Sequence, residues 1–321
     1  MEKLAIISTV KAPLSQLTMY VNYHLNIGID EIILFFDDPL DEGIKFFANY
    51  ENVTVVPCSS EYWTQTTEPR PPIVLDRQIT NVNEGVKIAI SKNCSWMTHI
   101  DCDELIYPLR DIKQVLRDCQ ADGLNFHVME VVSEQETYEH IFMPTLFKKR
   151  PNKLQIWAAK MLGCSQSFCG GQYFRAYETS KMLIKISPKI KKYGIHEPEE
   201  CADDTIIKQS HELRLLHYDS VGLSNWKAKF ERRAQELVEG DNLYEFFAKH
   251  RVTQFQAYLQ ARSEGDSQLV ALYKRLYIMS KGQKQILFFL GMLEKVILNQ
   301  DFFNLVDAEC DSFTRKVDGN T

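Results

Sequence analysis

The chain has 321 residues, 45% hydrophobic and 25% charged, enough to bury a sizeable core in one large domain or in one domain with a smaller appendage. Its 37 basic and 43 acidic side chains leave a net charge of −6, which argues against a uniformly basic nucleic-acid binder. Eight scattered cysteines form no C-x-x-C pair, which argues against a zinc knuckle and for free thiols in a reducing cytosol. No run reaches the roughly 18 apolar residues of a membrane span, and the apolar run at Leu4 to Ile7 is too short for a signal-peptide core. The expectation is a soluble, cytoplasmic protein with no transmembrane segment and with peripheral membrane contact left open.

The first half alternates buried strands with helices. Leu4 to Thr9 reads as a strand. Leu14, Leu17, Val21 and Leu25 recur at helical spacing, and Gly28 marks the stop. Glu31 to Phe36 is a second strand ending at Asp37 and Asp38. Asp41 to Asn49 reads as a short helix and Val53 to Val56 as a third strand. Pro57 to Pro72 reads as a polar, proline-rich loop. Arg77 to Ser91 is helical, with Ile79, Val82, Val86 and Ile90 on one face. Trp96 to Ile100 is a fourth strand running straight into Asp101.

Asp111 to Cys119 then suggests a helix, while Gly123 to Val132, Lys181 to Ile186 and Leu213 to Tyr218 suggest strands. Pro144 to Tyr173 has no clear periodicity. From Ser224 the pattern is helical, with breaks at Gly240-Asp241, Gly265-Asp266 and Lys281-Gly282 and a frayed tail over Lys316 to Thr321. Such alternation predicts a mostly parallel sheet flanked by helices. Ligands bind such sheets beyond the carboxyl ends of the strands, where Asp37, Asp38, Asp101 and Asp103 fall.

A strand ending in Asp101-Cys102-Asp103-Glu104 crowds carboxylates that repel unless a cation sits among them. Mn²⁺ or Mg²⁺ suits such oxygen donors. The plainer reading of the same residues is a capped turn, with Asp103 or Glu104 neutralising the dipole of a following helix. An EF-hand is excluded, because its glycine and glutamate positions hold Ile106 and Ile112.

With these residues in hand, the chain resembles the family 2-like glycosyltransferases of GT-A fold. Their first helix matches Tyr20 to Asp30, with His24 and Gly28 in place, and their D-x-D-E-F/L segment matches Asp101 to Leu105. A G-x-H-x-P segment matches Gly194, His196 and Pro198. A late H-Y segment matches His217 and Tyr218, followed by Ser220 or Ser224, Lys229, Arg232 and Arg233. The resemblance covers roughly residues 1 to 235. Two features depart from it: Val21-Asn22 replaces a Glu-Trp pair, and no Glu-Asp pair supplies an evident catalytic base.

The resemblance implies a GT-A, Rossmann-like sheet over residues 1–222 and a helical C-terminal appendage over 223–321. It implies transfer of a hexose from a nucleotide-sugar, by preference a UDP-sugar, to a glycan, lipid or protein hydroxyl. Thr9, Val10 and Lys11 would line the base pocket, and Asp37 or Asp38 would bind base or ribose. Arg77 would reach the diphosphate, and Asp101, Asp103 and His217 would hold the metal. Asp101 has the further option of binding ribose. Lys229 and Arg233 would add positive charge at the leaving group.

Glu199, Glu200 and Asp203 are candidate bases, with Glu130 as another. The bland readings are a helical His24 that only packs, and Lys227, Lys229, Arg232 and Arg233 as the solvated face of a helix. Trp226 and Phe230 would be that helix's buried side, with Phe246, Phe247, Phe255, Tyr258 and Leu259 buried further on. The competing functions are a sugar-1-phosphate nucleotidyltransferase, which would want glycines after the first strand where Thr9 to Pro13 has none, and a catalytically silent carbohydrate- or protein-binding relative.

Overall fold

The computed structural model describes residues 2–169, 172–177, 179–236 and 248–299. The chain divides into two compact units, one formed by Met1–His127 with Thr179–Leu215 and the other by Val128–Glu178 with Leu216–Leu298. The expected boundary at 222/223 therefore falls inside the second unit.

In the first unit, β1 (Leu4–Val10), β2 (Glu31–Phe36), β3 (Val53–Pro57) and β4 (Trp96–His99) lie side by side in the order β3-β2-β1-β4. All three pairings are parallel, with Val10 opposite Phe36 and Ile7 opposite His99. The parallel sheet expected from the sequence is this part. Beyond β4 the sheet turns antiparallel, through β8 (Met182–Lys185) to β6 (Gly123–Val131). β11 (Ile207–His217) pairs with β6 and with β5 (Glu104–Pro108).

Helix α1 (Leu14–Asn26) stops where Gly28 takes φ +98°. α2 (Gly43–Phe47) precedes β3. α3 (Ser60–Thr66) replaces part of the expected loop: the Ser59 side chain caps it by accepting from Tyr62 N, and Trp63 buries its ring. α4 (Val74–Ser91) lies against β1 so closely that a Cβ on Gly85 would meet the Ile7 side chain at 2.7 Å. Ala5, Ile7, Ile33, Phe35, Val82, Val86 and Met97 make the core between them. Each fully buried aliphatic or phenyl side chain there contributes about 1.5–3 kcal/mol.

After β5 comes α5 (Ile112–Asp118), capped by Asp111. Strands β9 (Ile190–Tyr193) and β10 (Pro198–Cys201) form an antiparallel hairpin that the sequence did not announce. Their lysines and glutamates pair across an exposed surface, so no hydrophobic alternation reveals them.

In the second unit, the end of β6 pairs with β7 (Leu146–Lys149), which pairs with β12 (Leu293–Lys295). α6 (Lys153–Met161) opens on a capping box between Asn152 and Gln155, within the stretch whose periodicity was silent. α7 (Leu223–Glu236), α8 (Lys249–Glu264) and α9 (Asp266–Tyr277) enclose an aromatic cluster of Trp226, Phe230, Phe255, Tyr258, Tyr273 and Tyr277. The break at Gly265 is where the sequence placed it. The break expected at Lys281-Gly282 lies just before it, over residues 278–280, and Ser280 caps the helix that follows, α10 (Lys281–Phe289). Leu259, expected inside, is 37% exposed. Phe246, Phe247, the break at Gly240-Asp241 and the tail lie outside the described residues. No described helix is long and apolar enough to cross a membrane.

Candidate functional site

The carboxyl ends of β1, β2 and β4 share one edge of the first unit's sheet, because those strands are parallel neighbours. At the end of β1, the Thr9 hydroxyl accepts a hydrogen bond from Asn81 Nδ2 of α4 at 2.9 Å, and Val10 O accepts from Asp37 N at 3.1 Å. Lys11 is exposed. At the end of β2, Asp37 takes two arginines: Arg77 Nε at 2.9 Å and Arg70 Nη2 at 2.8 Å. Asp38 is exposed, and its side chain accepts from Leu40 N.

The two arginines differ. Arg77 is 3% exposed and also donates to the carbonyls of Pro71 and Pro72, so it braces Asp37 and the proline-rich segment. The Arg70 side chain is 44% exposed and faces solvent from the same carboxylate. The sequence singled out Arg77 for the diphosphate, whereas Arg70 is the arginine with solvent access.

At the end of β4 the acidic turn is closed by its own groups. Asp101 N donates to Glu104 Oε2 at 2.7 Å, and Glu104 N donates to Asp101 O at 3.0 Å. A strand, β5, follows this turn. No helix begins there, so Asp103 and Glu104 cannot be capping a helix dipole. Gln78 Nε2 donates to Asp101 Oδ1 at 2.8 Å, and Lys181 Nζ lies 3.2 Å from Asp101 Oδ2 and 4.0 Å from Glu104 Oε2.

Lys181 is completely buried and also donates to His99 Nδ1 at 3.2 Å. Burial, and then the Lys181 charge, push the His99 pKa down to about 3, so the imidazole is neutral. Burial pushes the Glu104 carboxyl well above its usual range. Lys181 opposes this, while Asp101 and Asp103 add to it. Glu104 Oε1 is buried and receives no hydrogen bond among the described residues. An orphaned buried carboxylate oxygen, beside two further carboxylates on one turn, is a donor set that fits a hard divalent cation.

The second unit carries His217, at the end of β11, and Asp219. A ring nitrogen of His217 and a carboxylate oxygen of Asp219 lie within 4.8 Å of each other, and both residues are buried. The Tyr177 ring packs on His217 with centroids 4.7 Å apart. Burial alone would raise the Asp219 pKa. Lys229, Arg251 and His217 outweigh it and hold the carboxyl well below the usual range. Lys229 Nζ is 2.5 Å from Asp219 Oδ1, and Arg251 Nη1 is 3.4 Å from Oδ2. Arg233 lies over the Phe230 ring at 5.2 Å.

Three of the base candidates belong to the β9-β10 hairpin and the residues that follow it. Glu199 and Glu200 stand on the β9-β10 hairpin, paired with Lys192 at 2.5 Å and Lys191 at 3.2 Å, and Asp203 is exposed just beyond it. Glu130 is fully engaged, accepting from Lys148 Nζ and from the backbone N–H groups of Arg175 and Ala176. His24 is a structural residue. Its Nδ1 donates to Tyr20 O and its Nε2 accepts from Ile106 N, and burial lowers its pKa to about 3.

With this geometry in view, comparison with known proteins is decisive at the level of the family. The profile of glycosyltransferase family 92 matches residues 5–244. The chain belongs to that family. Among curated proteins it is similar to "Glycosyltransferase-like At2g41451" of Arabidopsis thaliana, 21% identical over 256 residues covering 72% of this chain and 56% of that protein. It is also similar to "Glycosyltransferase-like At3g57200" of the same plant, 19% identical and covering 72% and 49%. The chain thus spans about half the length of the curated relatives it matches.

Solved structures that align with it include S. aureus TarS 1-349, at 12% identity and TM-score 0.35 over 97% of this chain and 91% of that one. Another is HddC from Yersinia pseudotuberculosis, at 12% identity and TM-score 0.34 over 72% and 100%. The glycosyltransferase kinship expected from the motifs holds, and the family shown is glycosyltransferase family 92.

Proposed function

We propose that this family 92 member transfers a hexose from a nucleotide-sugar, by preference a UDP-sugar, to a hydroxyl acceptor, with Mn²⁺ or Mg²⁺ as cofactor. The observation that carries the reading is the shared carboxyl edge of β1, β2 and β4. It collects Thr9 with Asn81, Asp37 with Arg70 and Arg77, and the Asp101 to Glu104 turn. Parallel sheets bind nucleotides at such an edge.

In this reading Thr9, Val10 and Asp37 face the nucleoside, where a carboxylate suits the N–H and hydroxyl donors of base and ribose. Arg70 reaches from Asp37 toward the diphosphate. Asp101 and Asp103 are the residues of the first unit that would hold the cation, and His217 is the imidazole donor expected from the sequence. When bound, the cation would neutralise the departing diphosphate. Lys181, paired with Asp101 and 4.0 Å from Glu104, would help hold the turn in shape for the donor. Glu199, Glu200 and Asp203 remain the proposed bases that deprotonate the acceptor hydroxyl. The seven described cysteines are free, which suits a reducing, cytoplasmic setting.

The test is release of UDP from a panel of UDP-sugars, with GDP-sugars as contrast, in Mn²⁺ and then in chelator. Turnover with a UDP-sugar that chelator abolishes supports the reading. Absence of both turnover and nucleotide binding points instead to a catalytically silent, carbohydrate-binding relative.

A further inference from the structure

Helix α6 wears its apolar side chains on the outside. Leu154 is 70% exposed, Trp157 61% and Met161 70%, at spacings of three and four that put them on one face. The helix is tied to the end of α10 by Gln155 Nε2, which donates to Leu290 O at 2.8 Å, and β7 just before it adds Lys149 N, which donates to Met292 O at 2.9 Å. Phe289, at that end of α10, is 87% exposed. A soluble chain gains nothing by holding a tryptophan, a phenylalanine and two long aliphatic residues in water on neighbouring elements, and such patches mark interaction surfaces.

The sequence around the patch is mostly basic, although Lys149 pairs with Glu294 and Lys284 with Glu134. Residues 149–162 and 281–299 together hold seven lysines and arginines and one acidic residue, Glu294, in a chain whose net charge is −6. Arg150, Lys153, Lys160 and Lys295 are exposed among them. Exposed Trp and Phe ringed by Lys and Arg is the composition of segments that lie in the headgroup layer of a bilayer. There the rings enter the acyl boundary and the cations meet anionic lipid.

We propose that the α6 and α10 face of the second unit docks the protein on an anionic lipid surface, with Trp157 and Phe289 inserted and Lys153 and Lys160 at the headgroups. This is independent of the donor site, and it would place the enzyme beside acceptors held in or at a membrane.

The protein carries its own probe. Of its four tryptophans, Trp63, Trp96 and Trp226 are at most 2% exposed, so only Trp157 can change environment on docking. The full chain is titrated with vesicles of phosphatidylcholine alone and of phosphatidylcholine with phosphatidylserine, followed by tryptophan emission and co-sedimentation. The expected result is a blue shift and co-sedimentation with the serine-containing vesicles only, weakened by salt. Leu154→Ser with Trp157→Ser should lower partition at least about tenfold. Lys153→Glu with Lys160→Glu should remove the preference for anionic vesicles. These side chains are exposed, so melting temperatures should stay at the parent value.

Three outcomes overturn the proposal: no partition into anionic vesicles, partition unchanged by the Leu154 and Trp157 substitutions, or a concentration-dependent mass in light scattering that those substitutions abolish without any vesicle binding. The last would make the face a contact between copies of the chain.

Discussion

Lys181 Nζ sits 3.2 Å from an Asp101 carboxylate oxygen, and the lysine is completely shielded from water. The acidic turn after β4 is therefore built around a cation of the protein's own. Removing one partner of a buried pair leaves the other charge uncompensated and costs about 3–5 kcal/mol. Lys181→Met should lose stability of that order. Mn²⁺ should raise the melting temperature of Lys181→Met by more than it raises that of the parent, because the turn's carboxylates then depend on the metal alone. Thermal melts with and without Mn²⁺ check this. Melting temperatures that Mn²⁺ leaves unchanged in both proteins would show that no cation binds the turn.

The Arg70 and Arg77 pair separates binding from bracing. Arg70→Ala removes a half-exposed partner of Asp37, so stability should change by less than about 1 kcal/mol. Affinity for UDP should fall roughly tenfold if the guanidinium meets the diphosphate. Arg77→Ala removes a buried guanidinium that holds a carboxylate and two proline carbonyls, so it should destabilise by about 3 kcal/mol or more. Calorimetric UDP titration alongside urea melts distinguishes the two. Equal affinity in Arg70→Ala and the parent would remove Arg70 from the site.

Much of the first unit was legible because its strands are continuous apolar runs. Leu4 to Val10, Glu31 to Phe36 and Trp96 to His99 are buried on both faces, and their ends name the candidate donor side. β5 was missed because it begins on Glu104, a buried carboxylate whose sequence context reads as a surface turn. Lys181 was missed for a different reason. Its partner Asp101 lies 80 residues away, and a single lysine at the head of a strand carries no local pattern. Asp219 was hidden beside the His217-Tyr218 match. Its significance lies in Lys229 and Arg251, which come from different helices. The signals that could have found both are weak: a lysine opening an otherwise apolar strand, and an acid straight after a proposed histidine ligand.

Glu130 gives a pH test away from the acidic turn. Burial would raise its pKa, but Lys148 and the N–H groups of Ala176 and Arg175 reverse this, so its folded pKa is lowered. A carboxyl whose folded pKa lies below the unfolded value of about 4.3 contributes stability that is fully present above that value and is lost as pH falls through the folded pKa. Lys148, pulled down to about 8 by burial, keeps its charge at neutral pH. Glu130→Gln should therefore cost about 3–5 kcal/mol at pH 7, and the gap to the parent should stay level to about pH 5 and narrow below about pH 4. Urea melts across pH 3 to 7 measure it. A gap that is constant over the whole range would mean that the Glu130 charge contributes nothing.

The metal reading stands or falls with Asp103. Asn keeps the shape of the side chain and removes the charge that attracts a cation. Asp103→Asn should therefore abolish chelator-sensitive UDP release, by about two orders of magnitude or more, since a bound metal contributes several kcal/mol at a leaving diphosphate. His217→Ala removes a neutral donor, so its loss should be smaller and appear as a raised Mn²⁺ requirement. Stability in chelator discriminates further. Asp101 and Asp103 both raise the Glu104 pKa, which means they repel it. Without metal, Asp103→Asn should then melt at or slightly above the parent temperature. A purely structural turn predicts a lower melting temperature and an unchanged Mn²⁺ dependence. If that pattern appears in calorimetry and a Mn²⁺ titration, Asp103 is not a ligand, and the metal-dependent mechanism loses its centre while membership of family 92 stands.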